Sequence, residues 1–273
     1  MSPIIFDTSF FTIYSLWVFF AIAVIVGTYI LIRLAIHEGL KLQFLSDNTA
    51  KLILLSLVGG RIIHIALNVN SYFYEFSTNT LLRFFYIWDK GINFWAAVVI
   101  FAVYFIYLCK KNEQNFLKWM DVILPAAIIA IGIFNLGAFF EGINYGKPTS
   151  LPWGVNFENP AIKYSVPIHP TQIYSFLYSI FIGVILILIK NIQKIKQMEK
   201  PGLIGMIGLT SYYFARFAEE FLRGDDTYMI FDIRLTQIII FFLFATTGII
   251  LYLKFFDHRK KRKSKTAHSL HLK

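Results

Sequence analysis

Seven long apolar stretches constrain this chain more than any other feature. Residues 12–32, 52–69, 94–109, 119–139, 172–189, 202–222 and 237–256 are rich in Ile, Leu, Val, Phe and Ala. Each is close to the length a helix needs to cross roughly 30 Å of hydrocarbon. Backbone groups in lipid must be satisfied internally, and a helix does this without a partner segment. With 57% hydrophobic and 15% charged residues over 273 positions, too little polar surface remains for a water-soluble globule. The expectation is an all-α integral membrane protein, a seven-transmembrane-helix bundle forming a single domain over residues 1–273.

The net charge of +10 matters through its location. If the N-terminus lies outside, segments 33–51, 110–118, 190–200 and the tail from 254 lie inside. They hold about 18 of the 26 Lys and Arg, as the positive-inside rule requires. The C-terminus is then cytoplasmic, and the basic tail 257–273, with its HRKKRKSK run, meets anionic lipid headgroups rather than nucleic acid. Cys109 is the sole cysteine, so neither an intrachain disulfide nor a thiolate metal site is expected. No cleavable signal peptide is expected, because Asp7 and no Lys or Arg precede the first apolar run.

The main interruption of the apolar pattern is residues 142–171, between the fourth and fifth spans. Pro148, Pro152, Pro160 and Pro167 cannot continue helices, and Gly142, Gly146 and Gly154 permit turns. An ordered outer loop follows from this. It ends in His169-Pro170-Thr171-Gln172, with Pro170 suited to a first helical turn and His169 or Thr171 to the cap. The aromatic segment 70–92 is either an arm lying on the outer interface or a loop with anchors.

Polar residues inside the spans mark the site. In the second span Arg61, His64 and Asn68 share a face. An arginine near mid-membrane costs about 2.5–3.5 kcal/mol on insertion scales, so it is expected to face the bundle interior or a wet cavity with an anionic partner, as ligand group or as structural tie. The fourth span holds one amide, Asn135, and Glu141 follows six residues later. In the sixth, Arg216, Glu220 and Arg223 stand at i, i+4 and i+7, so that pairing of Arg216 with Glu220 leaves Arg223 for an outside anion. Asp225, Asp226, Asp232 and Arg234 form a polar outer loop after it.

By depth, Arg61, His64, His169, Gln172, Tyr174, Arg216, Glu220 and Arg223 converge on the outer half of the bundle. Two or three arginines together suit a phosphate, and a phospholipid headgroup is the natural candidate. His169 is a general base, a donor to phosphate or a helix cap, and spacing leaves these open. The sequence has no nucleotide-binding glycine loop, zinc motif or serine nucleophile elbow.

Over nearly its whole length the chain resembles the bacterial prolipoprotein diacylglyceryl transferases. The most specific matches are YGKPTSLPWGV (145–155) and HPTQIY (169–174), similar to the family's W/Y-G-[RK]-P-T-x-x-P-W-G-V and H-P-[TS]-Q-L-Y signatures. Gly60-Arg61, Asp121 with Pro125, the Y-x-x-x-R-F-x-x-E-F-x-R pattern over 212–223 and Leu235-Thr236-Gln237 add to them.

The resemblance implies a multi-pass enzyme of the bacterial cytoplasmic (inner) membrane. Such an enzyme moves the diacylglyceryl group of phosphatidylglycerol onto the lipobox cysteine thiol of a lipoprotein precursor, releasing glycerol 1-phosphate. No metal or organic cofactor is implied. Arg61, His169, Gln172, Tyr174, Arg216, Glu220 and Arg223 become the lipid and phosphate site.

Three positions depart from the family pattern. Asn135 stands at the arginine of G-R-x-G-N, and Trp95 at the histidine of G-G-x-x-F-H-G-G. Ile143 stands at the glutamate of N-G-E-L-W-G, with Glu141 two residues earlier as a partial substitute. One reading is a transferase with an altered residue set, using His64 or His169 as base, on lipoprotein cysteine or another acceptor. A second is a catalytically inactive relative that binds phospholipid or lipoprotein precursor. A transporter or channel ranks last, because no inverted repeat is visible.

Overall fold

Helices dominate because the long apolar runs leave the backbone no partner but itself. The computed structural model describes residues 4–7, 12–69, 91–157, 159, 162–195 and 200–256. The tail 257–273 and most of the aromatic segment 70–92 lie outside these residues. Among the described residues there are seven α-helices: α1 (Ser15–His37), α2 (Leu42–Leu67), α3 (Phe94–Lys111), α4 (Phe116–Glu141), α5 (Thr171–Ile195), α6 (Leu203–Glu220) and α7 (Leu235–Leu251). A π-helical turn, Tyr252–Phe256, continues α7. Among the described residues five helical stretches are long and apolar enough to cross a membrane: Ser15–His37, Leu42–Leu67, Phe116–Glu141, Thr171–Gln193 and Leu235–Phe256.

Helix boundaries shift for local reasons. α1 starts at Ser15 because β2 (Thr12–Tyr14) pairs antiparallel with β1 (Ile4–Asp7), and Thr12 Oγ1 donates to Asp7 Oδ1 at 2.7 Å. α2 begins at Leu42 rather than 52, since LQFLSDNTAK has no Gly or Pro to stop a helix. A second hairpin joins β3 (Met229–Ile230) to β4 (Ile233–Arg234) just before α7.

The chain divides into two units. Residues 35–116 form one, and residues 1–34 with 117–273 form the other. In the smaller unit α2 packs on α3 through glycines: a Cβ on Gly59 would meet Ile100 at 2.3 Å, and one on Gly60 would meet Ile92 and Ala97 at 2.9 and 3.0 Å. Small residues permit this close approach, as in membrane helix pairs generally. Phe44 and Phe116 lie against Phe105.

In the larger unit glycines again set the contacts. Gly137 on α4 takes Phe19 of α1, Gly132 takes Ser179 of α5, and Gly208 of α6 takes Leu186 of α5. Ile128, Leu186 and Ile204 form a buried core between α4, α5 and α6. The α6 N-terminus is capped from α4: the buried Asp121 carboxylate accepts the Gly202 and Gly205 N–H groups at 2.6 and 2.7 Å. Gly202 itself has φ 89° and offers no side chain for this role.

Candidate functional site

The last turn of α6 packs charge into a space that excludes water. Glu219 and Glu220 are 5% and 1% exposed, and Arg223, just beyond, is 6% exposed. Burial without partners is prohibitive for such groups. Each is therefore tied. Arg216 bonds Glu219 through Nη1 and Glu220 through Nη2, the latter at 2.9 Å. The other Glu219 oxygen accepts from Ser175 and Tyr178 of α5, the tyrosine at 2.8 Å.

Glu220 reaches across to the start of α7. Its Oε2 accepts Arg234 Nε at 2.8 Å and Thr236 Oγ1 at 2.9 Å. Arg234 also donates to the Asp225 carbonyl and to its Oδ1, at 2.8 and 3.0 Å. Arg223 is held by Asp225 through both carboxylate oxygens, by Asn144 Oδ1 at 2.8 Å, and stands 4.0 Å from Glu220 through Nη1. Arg223 is thus not left over by an Arg216–Glu220 pair: a buried guanidinium needs its own counter-ion, and Asp225 supplies it. Burial would raise the Asp225 carboxyl, but the hydrogen bonds and charge of Arg223, with the charge of Arg234, hold it below the usual carboxylate value.

The loop after α4 is stitched to this turn by backbone. Gly224 N–H donates to the Tyr145 carbonyl at 2.9 Å and Lys147 N–H to the Leu222 carbonyl at 2.8 Å. On the other side Gly146 and Lys147 exchange bonds with His169, at 3.1 and 3.0 Å, and Ile168 with Val155. Gly146 is required at this crossing, since a Cβ there would sit 2.5 Å from both the His169 Cβ and its carbonyl oxygen. The described residues of the insert are therefore tied by backbone hydrogen bonds, and this ladder puts the backbone of His169 one strand from that of Arg223.

The side chains then diverge. A cavity of about 550 Å³ lies against the arginine turn, lined by Lys147, Glu220, Arg223, Asp232 and Arg234 on its polar side and by Phe217, Phe221 and Phe241 on its apolar side. His169 instead turns toward Tyr174, its Nδ1 3.2 Å from the phenol oxygen, which also accepts Trp153 Nε1–H at 2.8 Å. Trp153 and Tyr174 line a separate apolar pocket of about 460 Å³ with Ile173 and Leu177. Burial lowers the His169 imidazole below its ordinary value, favouring the neutral ring.

The other residues singled out in the sequence have these partners. Gln172, 1% exposed, donates to the Ile143 carbonyl at 2.6 Å and ties α5 to the loop. The Glu141 carbonyl accepts from Asn159 at 2.9 Å, while its buried Oε2 has no hydrogen-bond partner among the described residues. Asn135 turns its amide onto the Ile131 carbonyl of its own helix at 2.8 Å. In the smaller unit Arg61 is buried and donates to the Gly91 carbonyl at 2.8 Å, and His64 is half-buried one turn along α2. Among the described residues no group of three or more His, Cys, Asp or Glu is arranged to hold a metal.

Comparison with known proteins matches the model of the prolipoprotein diacylglyceryl transferase family to residues 3–253. The chain belongs to this family. It is 30% identical to the phosphatidylglycerol–prolipoprotein diacylglyceryl transferase of Prochlorococcus marinus subsp. pastoris (strain CCMP1986 / NIES-2087 / MED4), over 95% of this chain and 93% of the relative. It is 28% identical to that of Prochlorococcus marinus (strain MIT 9215), covering 88% of each, and 27% identical to that of Clostridium tetani (strain Massachusetts / E88), covering 82% and 86%.

Sequence reasoning passed over Glu219 and Lys147 and saw Arg234 only as part of a polar loop. For Glu219 a signal existed: it stands three residues from Arg216, on the same helix face. Arg234 meets Glu220 from 14 residues away, and no helical period announces such a contact.

Proposed function

We propose that this chain moves a diacylglyceryl group from phosphatidylglycerol to a prolipoprotein, the activity in its relatives' names, and that the acceptor is a cysteine thiol. The cavity beside the end of α6 carries the reading, because one space joins Lys147, Arg223 and Arg234 to three phenylalanine rings. Such a lining suits a phosphate diester with apolar chains. Thiolate sulfur attacks the glycerol carbon, the carbon–oxygen bond to phosphate breaks, and its electron pair leaves on the phosphate oxygen. Nearby cations stabilise that developing charge.

His169 is the proposed base. In the tautomer whose Nδ1–H donates to Tyr174, Nε2 is open to take the thiol proton, and the lowered imidazole value keeps the ring neutral. Glu141, Gln172 and Tyr174 complete the proposed site, with Arg216 and Glu220 fixing Arg223 and Arg234. Seven spans in the bacterial inner membrane, N-terminus outside, are part of this reading. At 1.5 Å per residue even the 18-residue α3 and α6 are about 27 Å long.

A relative that binds the lipid without transferring it is the second reading. It is favoured by Asn135, whose amide is spent on its own helix. The test uses purified full-length protein, phosphatidylglycerol and a lipobox peptide. Release of glycerol phosphate with a matching mass gain on the peptide is expected. Retained lipid with neither product selects the second reading, and neither product nor bound lipid overturns both.

A further inference from the structure

Three guanidinium groups at the end of α6 meet three carboxylates. Arg216, Arg223 and Arg234 are engaged by Glu219, Glu220 and Asp225. The charges of the cluster balance, so its arginines can hydrogen-bond a phosphate but add no net charge to discriminate between headgroups. Two other charged groups face the same cavity uncommitted. Lys147 and Asp232 both line it, and neither side chain makes an ion pair or hydrogen bond among the described residues, with each other or with any third group. The site's selectivity therefore rests on groups outside the arginine network.

Backbone fixes both positions. Lys147 is pinned by bonds on both sides, its N–H to Leu222 and its carbonyl from His169. Asp232 sits in the two-residue turn between β3 and β4, where Phe231 and Asp232 have φ 48° and 61°. This is the positive-φ pattern of a tight hairpin turn, usually given to Asn or Gly. A Cβ makes this conformation unfavourable for Phe, and such strain clusters at functional sites.

We propose that Lys147 and Asp232 read the lipid headgroup: Lys147, in the same lining as Arg223, takes the phosphate diester, and Asp232 accepts hydroxyl hydrogens from an uncharged polyol headgroup. This rests on the lipid reading above and names the residues that set its selectivity. Asp232 is acceptor-only and repels a second phosphate charge, so it selects against phosphatidic acid. An ammonium headgroup would pair with Asp232 but is opposed by Lys147, and it has no acceptor for the Gln237 amide donors that a hydroxyl can use. The ligand class is an anionic phospholipid with a hydroxylated headgroup.

The test measures binding of phosphatidylglycerol, phosphatidic acid and phosphatidylethanolamine to the full chain by native mass spectrometry. A charge-assisted hydrogen bond is worth about 1.5–3 kcal/mol, so Lys147→Ala is expected to weaken phosphatidylglycerol at least about tenfold, with Lys147→Arg restoring it. Asp232→Asn keeps a residue that tolerates positive φ and is expected to narrow the preference for phosphatidylglycerol over phosphatidic acid. Unchanged binding in Lys147→Ala, an unchanged preference in Asp232→Asn, or equal affinity of the parent protein for phosphatidylethanolamine overturns the proposal. If the parent binds and transfers lipid while both variants match it, only the headgroup pair falls; if the parent retains no lipid, the function proposed above falls with it.

Discussion

The arginine turn after α6 and the His169 relay are neighbours in the backbone ladder, yet they are held in place by opposite means. In the first, most of the guanidinium and carboxylate groups are buried and each is matched. In the second, a neutral imidazole and a phenol are held by single hydrogen bonds beside Trp153, which is 55% exposed. A matched ion network is rigid and fails when one partner goes, because the remaining charge is stranded. A neutral relay is softer and can hand on a proton. The contrast fits the division proposed above, in which one side holds the phosphate and the other handles the thiol proton.

The largest expected effect breaks the charged side. Glu220→Ala takes one of two carboxylates from each of Arg216 and Arg234, leaving three guanidinium groups against two carboxylates, and should cost about 3–5 kcal/mol of stability, seen as a large fall in thermal midpoint in detergent. A midpoint within a degree of the parent would mean that water reaches these charges. Next, Arg223→Ala should weaken phosphatidylglycerol binding more than His64→Ala does, measured by lipid retention. Equal losses would count against the site at the end of α6.

Smaller effects sharpen the neutral side. Trp153→Phe removes one donor to Tyr174 and should cost about 1 kcal/mol with lipid retention unchanged. For pH, the folded value of His169 lies below its ordinary 6.5, so the unfolded chain takes the proton first. Its contribution to stability is full above 6.5 and is lost as pH falls through the folded value; the acid limb of any transfer activity should likewise lie below 6.5 and vanish as a feature in His169→Gln. Asp225 follows the same sign in more acid solution, its contribution present above about 3.8 and lost as pH falls through its depressed value. The smallest effect is at the surface, where Lys163→Ala removes a pair with Asp226 whose side chains are 43% and 89% exposed and should change stability by about 0–1 kcal/mol.

The helices were legible in the sequence because burial in lipid writes itself as uninterrupted apolar runs, and all seven expected stretches overlap an observed helix. The pairing of Arg216 with Glu220 was legible for a similar reason, since helical period places them on one face. Contacts between segments were not. Arg234 against Glu220, Asn144 against Arg223 and Asp121 over the α6 N-terminus each join residues distant in sequence. The hairpin strain at Phe231 was equally silent, since neither residue is a glycine.

The most direct measurement compares phosphatidylglycerol retained by three proteins: the parent, Arg223→Gln and Trp153→Phe. If the charged turn holds the phosphate and the relay does not, Arg223→Gln loses most of the bound lipid while Trp153→Phe keeps it. Retention in Arg223→Gln with loss in Trp153→Phe would place the lipid on the wrong side of the ladder and contradict the account.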